Sequence, residues 1–277
     1  MSGRYKVAWL CEALLVSRSG YYDWVEGRRR PRPRAAENIR LRERIRAEFA
    51  RSRETYGSPR LAQALGCPGR RNRIARLMRQ ERLFARQRSK YRPRTTDSAH
   101  GGPIAPNRLQ HLIVRRPDQV WVTDATCILT AQGWLYLVAV LDRYTRRIVG
   151  WAMHQILDAR LVIAALRMAL LQRRPTGTLI VHSDRGAQFA SAAYRHLLAQ
   201  HGLVASMSRK GNCYDNAFIE SFWSSLKYEV VYHNRFATFA EARNAIFNYI
   251  ETFYNRTRLH SSLAYRSPIK FESQLNN

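Results

Sequence analysis

Three acidic residues stand out by type and setting: Asp124 in VWVTDATCI, Asp184 in HSDRGAQF and Glu220 in DNAFIESFWSSLK. An aspartate flanked by Val122, Thr123, Ala125 and Cys127 in an apolar strand is costly to bury unless it is paired or meets a cation. Asp184 closes another strand at its turn, the kind of position where α/β sheets gather ligands. Glu220 rides a helix on which Asn216, Glu220 and Lys227, at i−4, i and i+7, share a face. Carboxylates brought from separate elements to one point suit two-metal phosphodiester chemistry, which holds divalent ions roughly 3.5–4 Å apart across the scissile phosphate. Read singly, Asp184 serves equally as a turn former and Glu220 as an ordinary helix residue, so the case rests on convergence. The other acids of this region have structural readings: Asp142 as a turn residue ahead of RYTRR, Asp158 as a helix cap, Asp215 as the opening of the Glu220 helix. His182, Ser183 and Asp184 form no hydrolase relay, because successive strand residues point to opposite faces.

The elements that must position these acids can be read from periodicity. QVWVTDATCIL, GWLYLVAVLD and RRIVGWAMH are rich in β-branched and aromatic residues and predict three successive strands. A helix capped by Asp158 follows (ARLVIAALRMALLQR), then the strand TLIVHSD, a helix through AAYRHLLAQHG and a short strand near LVASMS. The order βββαβαβ followed by helices predicts an α/β RNase H-like core: a mixed five-stranded sheet with helices on both faces. Beyond it, TFAEARNAIFNYIETFYNR predicts a further helix, with Phe239, Ile246, Tyr249, Ile250 and Phe253 as packing residues and Tyr254, Arg256, Arg258 and His260 within reach of a nucleic acid.

Charge separates this core from what precedes it. The chain of 277 residues carries 47 Lys plus Arg against 20 Asp plus Glu, a formal +27, far beyond what solubility requires, so a polyanionic partner is expected. Residues 1–110 hold 27 Lys plus Arg against 9 Asp plus Glu, a net +18. Helices are expected near 5–26, with a break at Ser17–Gly20, at 37–50 with a Leu41, Ile45, Phe49 stripe, and over 58–82. The last opens with Ser58 as N-cap and Pro59 in the first turn, breaks at Gly66, and resumes with Ile74, Leu77 and Met78 inward. Arg71, Arg73, Arg76 and Arg79 then face outward, and residues 70–79 contain five arginines and no carboxylate. Taken by spacing alone, a solvated helical hairpin fits as well as a helix-turn-helix-like DNA-binding pair; the missing acidic partners favour contact with phosphates.

A membrane surface is the other polyanion, and the sequence argues against it. The opening MSGRYKVAWLCEALLVSRSG is interrupted by Glu12 and shows no small-residue cleavage signal, while Val7, Leu10, Cys11, Leu14 and Leu15 recur at the spacing of a packed helix. Cys11, Cys67, Cys127 and Cys213 form no CxxC pair and no histidine precedes His100, so neither a disulfide framework nor a zinc module is expected, and a cytoplasmic, nucleoid-associated protein is. The domain reading is a basic helical region over 1–83, a Pro-, Gly- and Arg-rich linker over 84–110, the catalytic core over 111–232 and a helical C-terminal extension over 233–277.

At the acids the sequence resembles the OrfB-type transposases of bacterial insertion sequences in the IS-three family, which group with retroviral integrases. Fifty-nine residues separate Asp124 from Asp184 and 35 separate Asp184 from Glu220, the family's D,D(35)E spacing, and Lys227 matches its accompanying basic residue. PDQVWVTDATCI, VAVLDRYTRRIVGWAM, HSDRGAQF, SRKGNCYDNAFIESFWSSLKYE and YNRTRLHSSLAYRSPIKFE match as blocks; VSRSGYYDW, YGSPRLAQAL and RIARLMRQERL match more weakly. The resemblance implies Mg²⁺ or Mn²⁺ as a pair of ions on Asp124, Asp184 and Glu220, with release of a 3′-hydroxyl at an element end and its attack on another phosphodiester. It also implies Asn216, Lys227 and Lys210 against double-stranded DNA, a homo-oligomer in a synaptic complex, and an upstream OrfA product as a frameshift-fusion partner. Two rival readings are an RNase H-type nuclease that does not join and a non-catalytic DNA-binding regulator, the latter expected to have lost an acid that this chain keeps.

Overall fold

The computed structural model describes residues 6–29, 33–86, 102–110, 112–208 and 216–275. The chain divides into two compact units, Met1–Ala85 and Arg86–Asn277.

The first unit is helical: α1 (Val7–Ala13), α2 (Arg18–Arg29), α3 (Pro33–Arg51), α4 (Ser58–Ala64) and α5 (Arg71–Gln80). Leu41, Ile45 and Phe49 of α3 are buried, as are Leu61 of α4 and Ile74, Leu77 and Met78 of α5. Two local expectations are corrected. Gly57, not Ser58, holds the N-cap position of α4, and Ser58 is already helical. Helix α1 stops at Ala13 and Leu15 takes a positive φ, so Leu14 and Leu15 leave the buried face and stand exposed.

The second unit is built on a five-stranded sheet of order β3-β2-β1-β4-β5. Strands β1 (Val120–Thr130), β2 (Gly133–Asp142) and β3 (Ile148–His154) form the antiparallel meander, and β4 (Ile180–Ser183) and β5 (Val204–Met207) run parallel to β1 and to each other. This is the mixed sheet that the strand order predicted. Between β3 and β4 lies α6 (Ala159–Arg173), whose Asp158 cap accepts from Leu161 N–H. Between β4 and β5 lie α7 (Ala187–Ala190) and α8 (Ala192–Gln200). Trp121, Val138, Val140 and Val149 from one sheet face pack with Leu161, Leu166, Leu197 and Leu198 of these helices into the main core. Gly150 permits the close approach of α6, since a Cβ there would fall 2.4 Å from Ala165 O and 2.6 Å from Ala169 N.

Alternation along β1 turns Val122 and Asp124 away from that core, towards α9 (Ala217–Glu229), whose Trp223 hydrogen-bonds to Asp124. Helix α10 (Phe239–Phe247) continues into a π-helical stretch, Asn248–Tyr254, that buries Tyr249, Ile250, Phe253 and Tyr254. The wider turn lets successive aromatic residues face the same side. Asn255 then pins the C-terminal segment to β3, accepting from Ile148 N–H and donating to Ile148 O, each at 3.0 Å. The segment ends in α11 (Pro268–Ser273), whose Glu272 accepts from Arg147 and pairs with Arg173.

Candidate active site

Register brings the two aspartates side by side. β1 and β4 are parallel, with Val122 opposite His182, and Asp124 and Asp184 each lie two residues further along. Burial and the like charge of Asp184 push the Asp124 carboxyl up to about 7; hydrogen bonds from Ala125 N–H and Trp223 act the other way, and Glu220 adds a smaller upward push. The Asp124 carboxylate is held at both oxygens. Oδ1 accepts from Ala125 N–H at 2.8 Å and Oδ2 from the Trp223 indole N–H at 3.0 Å. Asp184 Oδ1 accepts from Gly186 N–H at 3.0 Å, which fixes it at the mouth of the turn.

Glu220 lies one helical turn before Trp223 on α9 and is exposed. It lies near enough for its charge to act on Asp124. Among the described residues, however, no three His, Cys, Asp or Glu side chains are gathered tightly enough to share one ion. The two aspartates lie side by side, and Glu220 does not form one tight cluster with them. The donor set suits a divalent cation. Its donors are hard oxygens, and no cation is among the groups that shift Asp124 most. A site whose own carboxylates oppose one another's ionisation is relieved by a positive ion.

Lys227 belongs to the same surroundings. It is half-buried on α9, burial lowers its pKa, and Asp124 and Cys127 act to raise it. Asn216 is corrected: it lies just before the first turn of α9 with only 6% of its surface exposed, and its Oδ1 is buried without a hydrogen-bond partner among the described residues, so this side chain is packed inside rather than offered to DNA. Lys210 and Asp215 lie outside the described residues.

Arg258 is a second correction. It is 5% exposed and forms a two-pronged pair with Glu229, donating from Nε and Nη2 at 2.7–3.0 Å, with Ser225 Oγ as a further acceptor at 3.1 Å. Tyr249 donates its hydroxyl to the same carboxylate at 2.8 Å. This arginine braces the C-terminal segment against α9 and is not available to a nucleic acid. His260 and Tyr254 are buried as well, whereas Arg256 is exposed.

On α5 the arginines divide. Arg73 is tied to Glu37 and Asn38 of α3, and Arg70 to the same Glu37. The missing carboxylate is thus supplied by another helix, and Arg73 is withdrawn from the candidate DNA surface. Arg71, Arg76 and Arg79 remain exposed, with no side-chain hydrogen bond or ion pair among the described residues.

Sequence reasoning missed Trp223. Its signal was an indole N–H one turn after Glu220, a donor that seeks a partner when buried.

Comparison with known proteins now adds its own findings. Residues 36–91 match the family described as an HTH-like domain, residues 114–213 match an integrase core domain, and residues 201–268 match a second integrase core domain family. The chain is 46% identical over 269 residues to an insertion element IS600 protein of 31 kDa from Shigella sonnei, covering 96% of this chain and 98% of that one. It is 39% identical over 274 residues to the transposase InsF of insertion sequence IS3A from Escherichia coli K12, covering 98% of this chain and 95% of the relative. The chain belongs to the IS3 family of transposases.

Among solved structures, the HTLV-2 integrase catalytic core domain in complex with magnesium aligns with 56% of this transposase and 97% of its own length, at a TM-score of 0.43 and 14% identity. That likeness is too loose to weigh on function. No helix among the described residues of the transposase is long and apolar enough to cross a membrane.

Proposed function

We propose that Asp124, Asp184 and Glu220 are the catalytic carboxylates of this transposase, which cleaves DNA at the ends of its element and joins the freed 3′-hydroxyl to another phosphodiester. The observation that carries this reading is the pair of aspartates on adjacent parallel strands, Asp124 within β1 and Asp184 just past the end of β4, in mutual repulsion, with the helix that bears Glu220 packed beside them. Bound Mg²⁺ or Mn²⁺, as a pair of ions, would supply Lewis-acid activation of water and of the attacking hydroxyl and neutralise charge on the phosphate. The chain's own part is to fix the carboxylates. Ala125 N–H and Trp223 orient Asp124, Gly186 N–H orients Asp184, and Glu220 closes the set when DNA and metal are present. Lys227, half-buried beside Asp124, offers a cation to the phosphate backbone.

The basic helical region over 1–83 binds double-stranded DNA through Arg71, Arg76 and Arg79 on α5. The core over 111–232 performs the chemistry, and the segment over 233–277 supports it. The transposase acts as a homo-oligomer that brings two element ends together, with an OrfA product as partner, in association with the bacterial nucleoid.

The test is a strand-transfer assay with Mg²⁺ on DNA carrying the ends of the element, with the wild type beside Glu220→Gln. Joined products that disappear in the variant are the expected result. Cleavage without joining, persisting when the upstream partner is added, favours a nuclease; binding with no chemistry in either protein favours a DNA-binding regulator.

A further inference from the structure

The turn between β2 and β3, residues 142–147 (DRYTRR), places two arginines on one aromatic ring. The guanidinium carbon of Arg146 stands 3.8 Å from the centre of the Phe218 ring, and that of Arg143 stands 4.8 Å from it. Phe218 is the second residue of α9, two before Glu220. A guanidinium held over a ring is restrained in place, and its planar fork of N–H groups can meet a phosphate through two hydrogen bonds.

Three other arginines packed around this sheet hold ion pairs. Arg147 pairs with Glu272, Arg173 with Asp118 and Glu272, and Arg258 with Glu229. Arg146 has no ion pair or side-chain hydrogen bond among the described residues, and its Nε is buried without an acceptor. The carboxylate in its own turn is committed elsewhere: Asp142 accepts the N–H groups of Asp118, Tyr144 and Thr145. That carboxylate cages the turn, while the Asp142 backbone carbonyl accepts from Arg146 N–H at 2.8 Å and Arg146 stands at φ +63. Burial brings the Arg146 guanidinium down to about 10, opposed by Tyr254 and, less, by Asp142, with Arg143 adding to the downward push. It remains a cation at neutral pH. A half-buried cation with no ion pair is a destabilising arrangement unless an anion completes it.

We infer that Arg146, laid on Phe218 at the start of α9, is a binding site for a backbone phosphate of DNA. The ligand class rests on the transposase reading; the unsatisfied guanidinium does not. A phosphate held there anchors a strand at the helix that carries Glu220.

The experiment measures binding of duplex DNA to the full chain by fluorescence anisotropy across a salt series, for the wild type, Arg146→Gln and Arg146→Lys, with thermal unfolding of each. Losing one phosphate contact lowers the slope of log affinity against log salt by about 1. The expected result is that decrease in Arg146→Gln, with weaker binding. In Arg146→Lys the slope is kept while affinity falls several-fold, because an ammonium lacks the planar fork. Unchanged affinity and slope in a folded Arg146→Gln protein overturn the inference and leave Arg146 as packing for Phe218. Should Arg146→Gln fail to fold, Arg146→Lys decides: reduced affinity at constant slope supports the site, and unaltered affinity overturns it. The active-site reading fails separately, through joining that survives Glu220→Gln.

Discussion

Replacing Arg258 by Ala separates a brace from a DNA contact, because the two roles predict different quantities. In the structure the guanidinium shares three hydrogen bonds with Glu229, and both side chains are about 5% exposed. Removing the arginine leaves a buried carboxylate with the Tyr249 hydroxyl as its remaining hydrogen-bond donor among the interactions described above. Breaking a buried pair in this way costs about 3–5 kcal/mol. For a folded unit of this size each kcal/mol moves the midpoint by about 2–4 °C, so Arg258→Ala should melt roughly 6–20 °C lower. The assay is thermal and urea unfolding of the full chain followed by tryptophan fluorescence, alongside duplex DNA binding across salt. The salt slope should not change where the variant is folded. The double variant Glu229→Gln with Arg258→Met should recover much of the loss, because a neutral amide can still accept from Tyr249 and no charge is stranded. A drop below about 1 kcal/mol in Arg258→Ala, or a salt slope reduced by about 1 in a stably folded variant, refutes the brace.

Three further outcomes are expected. A raised Asp124 means the folded protein holds a proton that the unfolded chain has released, so this carboxyl's contribution favours folding at low pH and is lost as pH rises to about 7. Divalent ions compete with that proton, so Mg²⁺-induced thermal stabilisation should be small near pH 5.5 and larger near pH 8; a pH-independent shift would contradict the assignment. Trp223→Phe removes the indole N–H from Asp124 Oδ2 and should weaken Mn²⁺ binding, measured by calorimetry, by about 10-fold, the low end for a residue that orients a ligand. Unchanged affinity would mean that Asp124 needs no such support. Gly150→Ala inserts a methyl against the α6 backbone and should destabilise by about 1–3 kcal/mol in urea unfolding, whereas an unshifted midpoint would show that α6 yields freely.

The meander and its helices were legible because each strand and helix announces itself locally. β1 to β3 alternate or run apolar, α6 begins at an aspartate that does cap it, and the aspartates fall where a strand passes and where one ends. What escaped the sequence is pairing across distance. Nothing near Arg258 marks Glu229, 29 residues earlier, as its partner, and nothing between 70 and 79 discloses Glu37 on α3. A run of arginines without acids is local information, while neutralisation is a tertiary property. The same limit explains Asn216. Shared helical phase with Glu220 is a statement about an ideal cylinder, and the actual helix begins one residue later, with Asn216 covered. Leu14 and Leu15 were misjudged because the periodicity outlasts α1, whose last helical residue is Ala13.

Helix α9 is the element on which these observations meet. Thirteen residues turning by about 100° each present different side chains to different neighbours. Phe218 supports the arginines of the β2–β3 turn, Trp223 reaches Asp124, Phe222 and Leu226 are buried, and Glu229 is fastened by Arg258 and Tyr249. The Glu220 side chain, by contrast, is exposed and has no hydrogen bond among the described residues. On the proposed active-site reading, a helix anchored at its far end and bonded to one aspartate in its middle leaves the Glu220 carboxylate free to complete the set. That division of labour assigns rigidity to Trp223, Glu229 and Arg258 and adaptability to Glu220. It also locates the effect of substitutions: those at the anchors should appear first in stability or metal affinity, and those at Glu220 in the joining of DNA.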